Sequence, residues 1–120
     1  VVAELLARGH LDDAAFARHW VATRSGRGYG AARLRMELRA RGVDAALIAR
    51  ALGDLDAASA LERARAVAAR RLVVLRRADP LRAAARLRDH LARRGYPAAV
   101  VARVVREALA GRAAELPPDS

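Results

Sequence analysis

The sequence predicts an all-α fold: tandem three-helix repeats forming an elongated, curved array. Three observations carry this. Ala and Leu dominate and are strong helix formers, while the chain has only four aromatic residues, Phe16, Trp20, Tyr29 and Tyr96. Apolar residues recur at steps of three and four in one stretch after another. A block running from Leu34 to Arg50 is echoed fifty-three positions later, from Leu87 to Arg103. Small aliphatic side chains bury little area each, so several small cores are expected rather than one large one.

The elements follow from local punctuation. Val2, Leu5 and Leu6 close a helix that stops at Gly9. Asp12 or Asp13 caps the next helix, to Arg24, with Phe16, Ala17, Trp20 and Val21 as its apolar stripe. After the loop Ser25-Gly-Arg-Gly-Tyr-Gly30 comes a helix over 31–41 that buries Leu34 and Leu38 and ends at Gly42. Asp44 caps a fourth, over 45–55. Asp56 or Ser59 starts the longest helix, to Arg77, with Leu61, Ala64, Ala68, Leu72 and Leu75 inward. Asp79-Pro80 is a cap followed by proline at the first helical position, and that helix runs to Gly95. Pro97 opens the last helix, which Gly111 stops.

The repeat gives the organisation. Leu34/Leu87, Leu38/Leu91, Gly42/Gly95, Ala45/Ala98 and Arg50/Arg103 correspond, and a weaker third copy surrounds Leu5, Arg8 and Gly9. The expected units are a remnant of a first repeat at 1–11, a second repeat at 12–55, a third at 56–110 and a disordered tail at 111–120. The chain starts without Met and in mid-pattern, so further N-terminal sequence is expected.

Charge narrows the function. The formal net charge is +10, and all 23 basic residues are Arg. Coding bias explains Arg in place of Lys but not the excess over 13 acids, which favours an anionic partner. Residues 1–55 carry nine Arg against six acids, and residues 56–112 carry fourteen against five, so the second half is the electrostatic half. There is no Cys, which excludes disulfides and thiolate metal sites. No apolar run approaches the ~20 residues of a membrane span, and Val1–Leu6 lacks the pattern of a signal peptide. A cytoplasmic, monomeric protein with no membrane contact is expected.

Catalysis finds no support. Asp12-Asp13 reads as a cap, and adjacent acids point in different directions. His10, His19 and His90 share no metal-ligand spacing, so no metal and no cofactor are expected. His19 is expected on a helix rim. Gly26–Gly30 lacks the Gly-Lys-Ser/Thr of a phosphate-binding loop and has no preceding strand. It reads as a turn, or as an anion site where Arg24, Arg27 and Arg33 surround a helix N-terminus. Tyr29 either stacks on a base or fills a gap. Glu37 reads as a local partner of Arg33 and Arg41 on a solvated face. The long helix presents Arg63, Arg65, Arg70, Arg71, Arg76 and Arg77, with balancing acids, Glu62 and Asp79, only at its ends.

Gly9-His-Leu-Asp-Asp-Ala-Ala-Phe-Ala17, then Arg24-Ser-Gly-Arg-Gly-Tyr-Gly30, then Glu37-Leu-Arg-Ala-Arg-Gly-Val43 and Leu91-Ala-Arg-Arg-Gly-Tyr96 stand in an order and spacing that resemble the RecX family. The resemblance covers residues 1 to about 110. It implies three tandem three-helix repeats, of which this chain holds the second and third. It also implies a regulator that binds the filament of the recombinase RecA on single-stranded DNA. Such a protein mainly inhibits ATP hydrolysis and strand exchange, and so regulates DNA repair and recombination. The competing expectation is a stand-alone helix-turn-helix DNA-binding protein. The residues expected to meet RecA or the strand are Arg24, Arg27, Tyr29, Arg33, Arg35, Arg70, Arg71, Arg76, Arg77 and Arg94.

Overall fold

A computed structural model describes the backbone of residues 2–53, 55 and 57–115, and side chains over 12–53, 55 and 59–112. Within them the chain forms α1 (Val2–Gly26), α2 (Ala31–Ala40), α3 (Ala45–Leu52), α4 (Ala57–Leu75), α5 (Pro80–Arg93) and α6 (Ala98–Glu115). α1 packs on α2 and α3, and α4 packs on α5 and α6, which makes two three-helix bundles in sequence. The molecule measures 77 × 22 × 19 Å, with a radius of gyration of 18.5 Å. A compact domain of this length would have about 13.5 Å, so the body is elongated.

Each bundle has its own core. Ala17, Val21, Leu34, Leu38, Val43, Leu47, Ile48, Ala51 and Leu52 fill the first. In the second, Ala64, Val67, Ala68, Leu75, Leu87, Leu91, Val101, Val104 and Val105 pack around Tyr96. The repeat holds at atomic detail. Leu34 and Leu38 are 0% exposed, and their counterparts Leu87 and Leu91 are 1% and 0% exposed. Truncating any of the four to Ala should cost about 2–5 kcal/mol. Gly42 and Gly95, each just past a helix end, have φ +80° and +97°, a left-handed turn that glycine adopts without strain.

Several expected boundaries move. α1 runs through Gly9, so Asp12 and Asp13 lie inside a helix and cap nothing. An interior glycine costs about 1 kcal/mol relative to Ala, which the good helix formers on both sides outweigh. The same reason carries α6 through Gly111 to Glu115. α1, at 25 residues, is therefore longer than α4, at 19. Asp56 lies outside the described residues, as does the tail from 116. Asp44 occupies the N-cap of α3 but makes no side-chain cap bond. Asp79 does cap α5, accepting from the Leu81 and Arg82 amides, with Pro80 first in the helix. Phe16 faces outward, 41% exposed, with its ring 5.6 Å from that of Trp20.

Candidate interaction surface

The α1–α2 turn and the α5–α6 turn meet where the two bundles join. The Gly30 amide donates to the Arg94 carbonyl at 2.6 Å, and the Ala32 amide donates to the Gly95 carbonyl at 3.2 Å. Gly30 stands at the N-cap of α2 and has no side chain to cap it. The carbonyl end of α5 takes that place, which also sets a negative helix end against a positive one. The approach is too close for side chains. A Cβ on Gly30 would sit 2.5 Å from the Gly95 oxygen, and one on Gly95 would overlap the Arg33 backbone. The anion site expected over 26–30 is therefore filled from within the chain.

Side chains reinforce the joint. The buried Tyr96 hydroxyl donates to the Gly28 carbonyl at 2.7 Å. Arg94 donates to the Arg27 carbonyl at 2.7 Å, and Arg63 to the Tyr29 carbonyl at 3.0 Å. Guanidinium and aromatic groups alternate across the boundary. Arg41 lies 4.0 Å from the Trp20 ring centre and Arg24 lies 5.2 Å from it. Arg24 is also 4.2 Å from the Tyr29 ring, whose other neighbour is Arg94 at 4.5 Å. Such stacks stabilise by roughly 0.5–2 kcal/mol per contact.

Glu37 neutralises this ladder. It accepts from Trp20 at 3.0 Å, from Arg24 through two bonds of 2.7 Å, and from Arg33 at 3.1 Å. With its side chain 12% exposed, it is not on the solvated face expected for it. Arg41, its expected partner, covers Trp20 instead. Burial pushes the Glu37 carboxyl up, but hydrogen bonds from Arg24, Arg33 and Trp20 outweigh this and hold it below the usual carboxylate range.

The structure therefore sorts the ten residues expected to bind a partner. Arg24, Tyr29, Arg33 and Arg94 are half-buried in the joint, and Arg27 sits exposed on its turn. Arg35 is exposed on α2. Arg70 is exposed and Arg71 half-buried on α4, which ends at Leu75 rather than at Arg77, so Arg76 and Arg77 are exposed in the turn that follows it. The Arg face of α4 is not uniform. Arg63 is drawn into the joint, and Arg65 forms a two-bond pair with Glu107 of α6 at 2.8 and 2.9 Å. Hydrogen bonding from Arg65, with help from Arg103, holds the exposed Glu107 carboxyl down to about 2. Glu107 balances that face from another helix, so balancing acid is not confined to Glu62 and Asp79. Sequence reading missed Arg63 and Tyr96 as joint residues. The Arg-Gly-Tyr96 motif was the available signal for Tyr96.

Exposed apolar side chains accompany the free arginines. Val73, Val74 and Leu81 are 63%, 68% and 79% exposed at the α4–α5 bend. His19 is exposed on α1, as expected. His10 lies outside the described side chains. Among the described residues, no group of three His, Cys, Asp or Glu could hold a metal ion. Likewise, no described helix is long and apolar enough to cross a membrane.

Two fused three-helix bundles with a basic outer face define an all-α repeat protein. The second three-helix domain of RecX matches residues 12–52, and the third matches residues 58–105. The chain belongs to the RecX family. It is 43% identical over 102 residues to Regulatory protein RecX of Streptomyces coelicolor, covering 84% of this chain and 54% of that one. Against Regulatory protein RecX of Thermobifida fusca it is 40% identical over 109 residues, 90% of this chain and 59% of that one. Regulatory protein RecX of Amycolatopsis mediterranei is 36% identical over 108 residues, 89% of this chain and 62% of that one. The chain thus spans little more than half the length of the curated relatives it matches. No solved structure matches it.

Proposed function

We propose that this chain is part of a cytoplasmic regulator that binds the RecA–single-stranded DNA filament and lowers its ATPase and strand-exchange activity. The observation that carries the reading is an elongated body, 77 Å long, in which Arg70 of α4 and Arg76 and Arg77 of the turn after it have no acidic partner among the described residues. A body of that length reaches across more than one subunit of a filament. Bridging subunits favours one arrangement of the assembly and resists the rearrangement that accompanies hydrolysis.

Within this reading the ten expected residues divide by task. Arg70, Arg71, Arg76 and Arg77, with Arg27 and Arg35, supply attraction to the filament. Arg24, Tyr29, Arg33 and Arg94 fix the angle between the bundles and so the spacing of those contacts. Val73, Val74 and Leu81 supply apolar specificity towards the protein part of the filament.

The test is a titration of recombinase on single-stranded DNA with this chain and, alongside it, a full-length relative. Falling DNA-dependent ATPase and strand exchange are expected. Unchanged rates at stoichiometric excess of both proteins overturn the reading. A footprint on a defined duplex without recombinase supports the helix-turn-helix alternative.

A further inference from the structure

α6 starts beside the joint and ends beside the α4–α5 turn, where Arg112 donates to the Arg76 and Ala78 carbonyls. At that end α4 and α6 leave a groove between them. Leu72 of α4, Arg76 just past its end, and Ala108, Gly111 and Arg112 of α6 enclose about 270 Å³. The groove continues towards the joint over Ala68 and Ala69, as far as the Arg65–Glu107 pair. Its floor is apolar, and Leu72 and Ala108 are only half-buried.

The rim of this groove is cationic. Arg76 and Arg77 are exposed and form no ion pair among the described residues. The acids nearby are engaged: Asp79 caps α5, and Glu107 holds Arg65 and Arg103. The chain that follows carries the complement. Residues 113–120, Ala-Ala-Glu-Leu-Pro-Pro-Asp-Ser, hold two acids and no Arg, with an aliphatic side chain between the acids. Pro117-Pro118 bars a continuation of α6 along its axis. Gly111, in the groove, lies only ~6 Å of helix before Glu115, while the five residues 116–120 reach up to ~17 Å. The segment is long enough to cover the groove.

We propose that residues 116–120 fold back along this groove, with Leu116 over Leu72 and Ala108 and Asp119 paired with Arg76 or Arg77. Burial of aliphatic surface drives Leu116 in, and opposite charge sets the direction. A second copy of the chain suits the groove less well, because it would bring its own arginines to the same cationic rim. The docked segment covers Arg76 and Arg77 and so competes with an outside anionic partner for them. This autoinhibitory consequence rests on the filament reading; the docking itself does not.

The experiment attaches a nitroxide through Ser120→Cys, the only thiol in a chain without Cys, and follows the amide NMR signals of the full chain. Broadening at Leu72 and Ala69 is expected, together with its loss when Leu116→Ser/Asp119→Asn is added. Equal broadening with either tail, or none at Leu72 and Ala69, overturns the docking. Broadening that persists when label and isotope are on separate molecules assigns the groove to a second copy and also overturns it. Without the label, Leu116→Ser/Asp119→Asn should bind the recombinase filament about threefold more tightly, as for a segment docked about two-thirds of the time. Equal affinity overturns the competition. Broadening at Leu72 in a chain that binds no filament removes the filament reading and leaves the docking. Filament binding without broadening does the reverse.

Discussion

The Tyr96 hydroxyl and the Gly28 carbonyl, 68 residues apart in sequence, are joined by a buried hydrogen bond of 2.7 Å that ties one bundle to the other. Burial also pushes the Tyr96 phenol up from its ordinary value. Tyr96→Phe keeps the ring in the core and removes only this bond. Urea denaturation should show a loss of about 1–2 kcal/mol, the cost of leaving a buried carbonyl without its donor.

The close approach of Gly30 and Gly95 predicts a contrast between glycines. Gly30→Ala drives a methyl into the Gly95 backbone and should cost about 2 kcal/mol or more in thermal melts. It should also change the radius of gyration in solution scattering, because the bundles must part. Gly26→Ala meets nothing within 4 Å and should be neutral or stabilise the end of α1 by up to about 1 kcal/mol. Equal melting of the two variants would show that the joint is not tight.

Glu37 predicts a pH dependence. Its carboxyl lies below the ordinary range in the folded chain, so its ion pairs contribute fully above the unfolded glutamate value. That contribution is lost as pH falls through the folded value. Glu37→Gln should therefore destabilise by about 2 kcal/mol at pH 7, because Arg24 loses its counter-charge in a half-buried site. The gap between variant and wild type should close on acidification. A gap that is constant down to pH 3 would refute the assignment.

The free arginines predict a separation of binding from stability. Replacing Arg70, Arg76 and Arg77 by Ala should shift the unfolding midpoint little, because exposed side chains without partners contribute within about 0.5 kcal/mol each. The same triple variant should bind the recombinase filament more weakly. Its salt dependence should be shallower by about three in log–log slope if the contacts are to phosphates. Sedimentation of filament with bound protein at two salt concentrations reads both.

Some of this was legible before any coordinates. The inward Leu34, Leu38, Leu87 and Leu91 follow from spacing, and the matched turns at Gly42 and Gly95 follow from the repeat. The start of α5 at Asp79-Pro80 is written in two residues. The joint was not legible. Arg24-Ser-Gly-Arg-Gly-Tyr-Gly30 reads as a flexible loop or an anion cradle, because nothing local says that α5 will deliver two carbonyls to it.

What the sequence determined by itself is therefore the helices from α2 onward, most of the buried stripes and the repeat, since periodicity and capping act within a few residues; it broke α1 at Gly9 and turned Phe16 inward, where the structure does neither. What only tertiary structure decided is which groups remain free. Gly42 and Gly95 share a motif and a backbone conformation, yet Gly42 faces open space while Gly95 packs on Arg33. Arg65 and Arg70 stand in one basic run, yet Arg65 is claimed by Glu107, 42 residues away. A guanidinium reaches any acid that folding brings near, so the count of charges is local while their neutralisation is not.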